Sequence, residues 1–318
     1  MEYGNWFPPQ LGGETARAID QLIDWVHWFM LLLFVGWGIY LIYCLVKFRA
    51  RSGHKADYEL IKAKPSKMFE VGVVIVEAVL LIGFSMPVWA QYKNEMPSGP
   101  DVVEARLVAE QFAWNFHYAG ADGKYGRADP KLMTAENPLG LDSSDPDGKD
   151  DVWTINELHM PVDTDFILRG SSKDVIHSFS VPVLRVKQDL VPGMLVPIWL
   201  KATKTSDFLR DELTRKVQLD DAFEKRAFNY MAMADAGNIV KKGTGLNEDI
   251  VKRLRAAGVT EMSAAPLRPS EIACAQLCGN NHYKMKGFVV IESRASFDAW
   301  LAAQAAENEE EDEWDEEG

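Results

Sequence analysis

The stretch CAQLCGNNHYKM, residues 274–285, brings two thiols, an imidazole and a thioether together in one short segment. Its candidate ligands are Cys274, Cys278, His282 and Met285. Thiolate, imidazole and thioether form a soft ligand set that suits copper. Zinc sites do not need the methionine, and the C-x3-C spacing differs from the usual C-x2-C of a zinc knuckle. The stretch therefore predicts a copper site. The alternative is a disulfide, or two buried thiols with the other groups nearby by chance.

A site for two metal ions needs another strong ligand from elsewhere in the chain. The segment DVIHSFSVP, residues 174–182, supplies His177 at the start of a predicted strand. A histidine taken alone is more often a packed or surface residue than a ligand. His177 becomes a candidate because the soft ligands of residues 274–285 need a partner.

The bulk composition limits the classes of protein to consider. The chain has 318 residues, is 47% hydrophobic and carries a formal net charge of −13. This charge argues against nucleic acid as a partner. Of the three cysteines, Cys44 lies inside an apolar run and is predicted to be an inert thiol. No C-x-x-C-H occurs, so no covalently attached haem is expected.

Two apolar stretches, Trp25–Val46 and Phe69–Ala90, are each long enough to cross a membrane as a helix. The alternatives are buried core helices or, for the first stretch, a signal peptide. A signal peptide needs a basic region before the apolar run, whereas the residues before Trp25 are mostly acidic or neutral. The sequence therefore predicts a transmembrane hairpin.

The connection between the two spans is short and basic, which predicts that it is cytoplasmic. Its charged residues are Lys47, Arg49, Arg51, Lys55, Lys62, Lys64 and Lys67 against Asp57 and Glu59. Both termini and everything after Ala90 then lie on the outer face. Glu70 and Glu77 fall in or beside the second span, where carboxylates indicate a proton path or a contact with another subunit.

The rest of the sequence, from residue 93 onward, predicts an external β domain interrupted by a helical insertion. Short strand candidates separated by turn residues, at 101–118, 153–158, 165–170, 177–181 and 195–202, are typical of a β-sandwich. Residues 206–262 show helical apolar spacing, with Asp220 or Asp221 and Asn247 as N-caps. The predicted organisation is an external segment 1–24, a hairpin 25–92, β domain 93–205, helical lobe 206–262, β domain 263–306 and a disordered acidic tail 307–318.

The chain resembles subunit II of the haem-copper cytochrome c oxidases. The resemblance rests on two apolar spans, followed by the motif H-S-F-x-V-P and then by the motif C-x3-C-G-x2-H-x2-M. The resemblance covers most of the chain apart from a polar loop at 119–151, the lobe and the tail. It implies an all-β, cupredoxin-like Greek-key sandwich that holds a binuclear copper centre, CuA. It also implies bridging thiolates from Cys274 and Cys278, and terminal imidazoles from His177 and His282. Met285 and the carbonyl of Gln276 would be weak ligands.

The function implied by the resemblance is that of an electron-accepting subunit in a proton-pumping terminal oxidase. It would take electrons from cytochrome c and pass them to haem in the catalytic subunit I, where oxygen is reduced to water. The expected partners are subunit I, other oxidase subunits, membrane lipid and a cytochrome c. This cytochrome is either a diffusing one or one that is dedicated to the complex or bound in it. The expected location is the inner or plasma membrane of a bacterium, with the copper domain on the periplasmic face.

Further residues follow from the same resemblance. Glu70 resembles the glutamate at the mouth of a proton-uptake channel, and Asp189 an aspartate near a magnesium site. The family has glutamate where this chain has Gln276, and because an amide is a poorer ligand for a hard dication, magnesium is disfavoured. Phe112 and Trp114 lie in the aromatic run through which electrons enter, although Phe112 replaces the usual tryptophan.

Three other readings compete with this function. A quinol oxidase subunit II would have the same fold, but it would lack the cysteine pair. A membrane-anchored copper carrier or assembly protein would share the soft ligands, but it would not need Glu70, Asp189 or two histidines. A purely structural anchor subunit would join its thiols in a disulfide.

Overall fold

The computed structural model describes residues 8–53, 55, 58, 64–94, 96–134 and 137–316. They form two compact units, one of Glu14–Met96 and one of Met1–Gly13 with Pro97–Gly318. Of the connection predicted to be cytoplasmic, Asp57, Glu59 and Lys62 lie outside the described residues.

The first unit consists of two long apolar helical stretches. Helix α1 spans Glu14–Lys47, and the second stretch runs through α2 (Lys64–Ala78), a π-helical segment (Val79–Ser85) and α3 (Met86–Asn94). Both are long and apolar enough to cross a membrane, and neither is buried within this chain. The predicted hairpin helices are therefore present, and α1 begins earlier than the apolar run because Glu14 and the polar residues that follow also favour a helix.

The π-helical segment has a local cause in the sequence. Pro87 lacks an N–H group and its ring would clash with the carbonyl four residues earlier. The turns before it widen, and the backbone N–H of Met86 donates to the carbonyl of Leu81, five residues back. The helix thus continues past the proline without breaking.

The second unit is a β-sandwich of two five-stranded sheets. One sheet has the order β3-β2-β1-β5-β8 and the other β4-β13-β12-β6-β7. Pairing is antiparallel except between β1 and β5 and between β4 and β13. The bounds are β1 Val103–Glu110, β2 Ala113–Tyr118, β3 Val152–Ile155, β4 Glu157–Pro161, β5 Phe166–Ser172, β6 His177–Val181, β7 Val186–Leu190, β8 Val196–Leu200, β12 Glu271–Cys274 and β13 Lys286–Glu292.

Alternating side chains of the two sheets form one core. Strand β1 shows the pattern, since Ala105, Leu107 and Ala109 are buried while Glu104 and Arg106 are exposed. Such alternation is what a half-buried strand requires. Leu11, ahead of α1, is also part of this core, and its backbone N–H donates to the carbonyl of Val183 at 2.8 Å. Residues just before α1 therefore belong to the β domain.

The strand prediction was correct for the sandwich but incomplete. Residues 153–158 were expected to form one strand, yet the chain turns at Asn156, which has a φ of 60°, and passes from one sheet to the other. Strands β7 and β12 were not predicted because they are short and partly polar. Both pair with β6, and they flank the strand that begins at His177.

The insertion is not purely helical, so the prediction of a helical lobe is wrong in part. It contains α4 (Ser206–Glu212), α5 (Asp221–Glu224) and α6 (Glu248–Ala256), but also a three-stranded sheet of order β10-β11-β9. Those strands are β9 Arg215–Gln218, β10 Tyr230–Ala232 and β11 Glu261–Pro266. The strands are too short to give a periodic signal. Strand β11 pairs with β9 and β10, which precede it by many residues in the sequence. The predicted caps are confirmed, because Asp220 and Asn247 accept backbone hydrogen bonds from Phe223 and Ile250.

A long helix ends the described part of the chain. Helix α7 spans Arg294–Glu316, so it continues through the acidic run that was expected to be disordered. Glutamate and alanine are good helix formers, which explains the extension. At its start the helix packs on the sandwich, where Trp300 stacks on His159 with ring centroids 3.8 Å apart.

Candidate metal centre

His177 is the first residue of β6 and lies at one end of the sandwich. The ladder places it opposite Leu190 of β7, and two residues farther along β6, Phe179 pairs with Cys274 of β12. Its side chain is completely buried. Nε2 lies 2.8 Å from Asp174 Oδ1, while Nδ1 faces Cys274 Sγ at 3.9 Å. One ring nitrogen is thus held by a carboxylate and the other points at the cysteines.

The remaining predicted ligands follow β12 in a compact loop. Cys278 Sγ lies 3.8 Å from Cys274 Sγ, 3.5 Å from His282 Nδ1 and 3.7 Å from Met285 Sδ. A 3-10 turn over His282–Lys284 closes the loop, with the N–H of Met285 donating to the carbonyl of His282 at 3.2 Å. Both cysteines are free thiols. The sulfur separation is well beyond the roughly 2.05 Å of a disulfide bond.

The side chains form a cluster in which each sulfur has an imidazole beside it. His177 faces Cys274, and His282 faces Cys278, which also contacts Met285. In the described part of the chain, the group of potential ligand atoms lying within 4.8 Å of one another consists of His177, Cys274 and Cys278. His282 lies outside that group and contacts it through Cys278. This donor set has the softness that copper prefers.

Gln276 contributes through its backbone. Its carbonyl oxygen lies 3.1 Å from Cys274 Sγ, while its side chain is exposed. Asp189, the residue expected near magnesium, is exposed on β7 opposite Ser178 in the ladder. The structure thus places the backbone carbonyl of Gln276, and not its amide side chain, beside the sulfur of Cys274.

The two thiols differ in their acidity. Burial alone would raise the pKa of Cys274, but hydrogen bonds with His177 and with backbone groups of Ser178 and Gln276 lower the pKa to about 6. Burial and the neighbouring sulfur of Cys274 raise the pKa of Cys278 to about 11. Without metal, the thiolate is therefore on Cys274 at neutral pH.

This difference predicts the order of alkylation in the metal-free protein. Only the thiolate is nucleophilic, so reaction of Cys274 with iodoacetamide should rise through pH about 6 and level off above it. Cys278 is buried and stays protonated, and we expect it to react at least about tenfold more slowly at pH 7. Peptide mass spectrometry across a pH series measures both rates. Equal rates at pH 7 would contradict the assignment.

The two aromatic residues assigned to electron acceptance occupy different environments. Phe112 is half-buried and borders Gly279 of the metal loop. Trp114 is completely buried, with its ring centroid 6.2 Å from His177 and 5.7 Å from Phe179. Trp114 therefore does not reach the surface, whereas Phe112 is partly exposed, and the role of both in electron entry stays a prediction. The Trp114 ring packs edge-on against the imidazole of His177.

Two contacts to the metal loops were missed at the sequence level. Asp174, which holds His177, also accepts the backbone N–H of Gln111 through Oδ2 at 2.8 Å. The side chain of Gln111 donates to the carbonyl of Cys278 at 2.5 Å. A carboxylate three residues before a ligating histidine was a usable signal for Asp174, because imidazole ligands commonly donate to a carboxylate. Nothing local in the sequence pointed to Gln111.

Comparison with known proteins points to one family. Residues 106–211 match the family described as cytochrome c oxidase subunit II, periplasmic domain. The alternative cytochrome c oxidase subunit 2 of Bradyrhizobium diazoefficiens is 26% identical over 90% of this chain and 80% of its own length. Cytochrome c oxidase subunit 2 of Cereibacter sphaeroides is 24% identical over 63% of this chain and 70% of its own length.

A solved structure is also similar. It is the periplasmic domain of subunit II of cytochrome oxidase from Bradyrhizobium japonicum, with 18% identity and a TM-score of 0.33. The match covers 67% of this chain and 98% of that domain.

The family match and the two relatives confirm the predicted resemblance and the prediction of an oxidoreductase subunit. The two apolar helices and the periplasmic-domain relatives fit a membrane-anchored subunit with a periplasmic domain. The chain is similar to subunit II of the cytochrome c oxidases, and its residues 106–211 match the periplasmic domain of that family.

Proposed function

We propose that this chain is the electron-accepting subunit of a proton-pumping terminal oxidase and holds a binuclear CuA centre. The observation that carries the proposal is the cluster of His177, Cys274, Cys278 and His282, in which two adjacent sulfurs each face a separate imidazole. A single tetrahedral metal would draw all four donors around one point. Two coppers would instead be held by Cys274, Cys278, His177 and His282, and Met285 and the Gln276 carbonyl would be weaker ligands.

A copper pair bound there would take up and release one electron at a time. The protein contributes rigidity, because the ligands come from a strand start and a hydrogen-bonded loop at one end of a packed sandwich. His177 is fixed by Asp174 through Nε2, so its Nδ1 is directed at the metal position. Such outer contacts orient ligands and tune the metal. A site that moves little on gaining an electron transfers it quickly.

The partners follow from this role. The donor is a cytochrome c, either soluble or bound to the complex, and the acceptor is haem in the catalytic subunit I, where oxygen is reduced. The location is the inner membrane of a bacterium, with both termini and the copper domain on the periplasmic face. We place Phe112 at the surface where electrons enter. Magnesium near Asp189 remains disfavoured, because the Gln276 side chain is a neutral amide and points to solvent.

Stopped-flow reduction of the assembled complex tests this role. Mixing with reduced cytochrome c should reduce the copper centre first and haem afterwards, with the copper absorbance leading. Haem reduction that precedes any change at the copper centre would contradict the proposal. A copper carrier or assembly protein would instead release copper to a partner and show no electron transfer.

Glu70 is proposed to lie at the start of a proton-uptake path. It is exposed on α2, and Glu77 is exposed two turns farther along the same helix. We expect Glu70→Ala in the assembled oxidase to slow proton uptake by about 100-fold, the lower end of what proton-transfer groups contribute. Copper content should not change. Proton-release and uptake kinetics with a pH dye measure the effect, and unaltered turnover would assign Glu70 to a solvated interface.

A further inference from the structure

The two segments that supply the ligands come from distant parts of the chain. His177 begins β6, and the loop of residues 274–285 follows β12. Their spacing decides whether both sulfurs can face both imidazoles. A third segment, the turn between β1 and β2, touches both of them through Gln111.

The backbone of Gln111 is joined to the His177 side of the site. Its N–H donates to Asp174 Oδ2 at 2.8 Å, and the other oxygen of Asp174 holds His177 Nε2 at 2.8 Å. The neighbouring residues strengthen this attachment. The ammonium group of Lys173 pairs with the Glu110 carboxylate at 2.6 Å, and the backbone N–H of Lys173 donates to the carbonyl of Ala109. The turn is thus fixed to the His177 segment independently of the Gln111 side chain.

The side chain of Gln111 is joined to the cysteine loop. Nε2 donates to the carbonyl of Cys278 at 2.5 Å. This contact depends on Gly279, because a Cβ at that position would lie 2.7 Å from Gln111 Nε2 and 3.1 Å from Phe112 Cζ. Gly279 also has a φ of 138°, which L side chains rarely adopt. The loop sequence is therefore suited to the close approach of Gln111.

We propose that Gln111 is a positioning residue that sets the separation of the two ligand segments, with its backbone tied to Asp174 and its side chain to Cys278. We call these two hydrogen bonds the Gln111 clamp. The consequence for copper rests on the proposed function above. The clamp acts on the metal-free protein as well, because neither hydrogen bond involves a ligand atom.

Gln111→Met tests the clamp in the full-length protein. Methionine keeps the length of the side chain but removes the donor, and the backbone link to Asp174 stays intact. Gln218→Met is the matched control, because Gln218 makes a side-chain hydrogen bond to Glu261 in the inserted lobe. If the methionine variant does not accumulate, Gln111→Glu removes the same donor with an isosteric side chain.

The first measurement uses metal-free protein at one fixed pH. Cys278 is buried, so its alkylation requires local opening of the loop. Loss of one hydrogen bond should raise that rate roughly fivefold in Gln111→Met, with no change in Gln218→Met. An unchanged Cys278 rate would overturn the clamp, whether or not the protein binds copper.

The second measurement uses copper-loaded protein. We expect Gln111→Met to keep its copper content, to lose copper to a chelator roughly fivefold faster and to show altered copper hyperfine splitting in the EPR spectrum. A purely structural role would lower stability without moving the splitting. If Gln111→Met showed the same hyperfine splitting and the same rate of copper loss as the wild type, the clamp would be overturned. Failure of the wild type to bind two coppers would instead refute the proposed function and leave the first measurement decisive.

Discussion

Replacing Cys278 by serine is expected to abolish the copper pair. Cys278 Sγ is the central atom of the site, within 3.8 Å of Cys274 Sγ, His282 Nδ1 and Met285 Sδ. A hydroxyl is a hard, weakly acidic donor and cannot bridge two soft metal ions. Electron acceptance from reduced cytochrome c should fall by more than about 100-fold, since even changes beyond the ligands cost 10–100-fold. Copper analysis and stopped-flow absorbance measure the two effects.

The chain offers a matched control for this substitution. Cys44→Ser makes the same chemical change in α1, which belongs to the other compact unit of the chain. Its copper content and electron acceptance should equal those of the wild type. Circular dichroism of Cys278→Ser should remain native, because the substitution is nearly isosteric. If this variant kept two coppers and a wild-type rate, Cys278 would not be a ligand.

Replacing Trp114 by alanine is expected to cost the β domain about 3–5 kcal/mol of unfolding free energy. Trp114 is completely buried between the sheets, edge-on to His177 and Phe179. Gly287 makes room for its indole, since a Cβ there would lie 3.1 Å from Trp114 Cδ1. Removing the indole leaves a cavity next to a ligating histidine, so copper binding should weaken together with stability.

Denaturation of the metal-free protein, followed by circular dichroism, measures this cost. Trp153→Ala on β3 is the comparison, because that tryptophan is only half-buried and should cost about 1–2 kcal/mol. Trp114→Phe should recover part of the loss, since a smaller cavity remains. A cost for Trp114→Ala no greater than that of Trp153→Ala would contradict its role beneath the site.

The candidate ligands could be identified from the sequence because their chemistry is unusual. Cys274, Cys278, His282 and Met285 form a soft set at close spacing, and His177 stands at the start of a strand with a clear apolar pattern. The structure brings all five together. The residues that hold the ligands were harder to find. Gln111 lies 63 positions from Asp174 and 167 from Cys278, so only the folded ladder brings them into contact.

The different burial of Phe112 and Trp114 was also beyond the sequence. They lie in the same aromatic run, yet Phe112 is half-buried beside Gly279 and Trp114 is in the core. The inserted lobe was expected to be helical because α6 has a strong apolar period. Its three strands contain only three to six residues each, and they are defined by pairing across β11.

Copper stoichiometry together with EPR of the full-length protein in detergent tests the central claim most directly. The arrangement of two imidazoles around two sulfurs predicts two coppers per chain and a mixed-valence signal in which one unpaired electron is shared equally by both nuclei. One copper per chain with a mononuclear type-1 spectrum, or no copper uptake under reducing conditions, would contradict the binuclear centre.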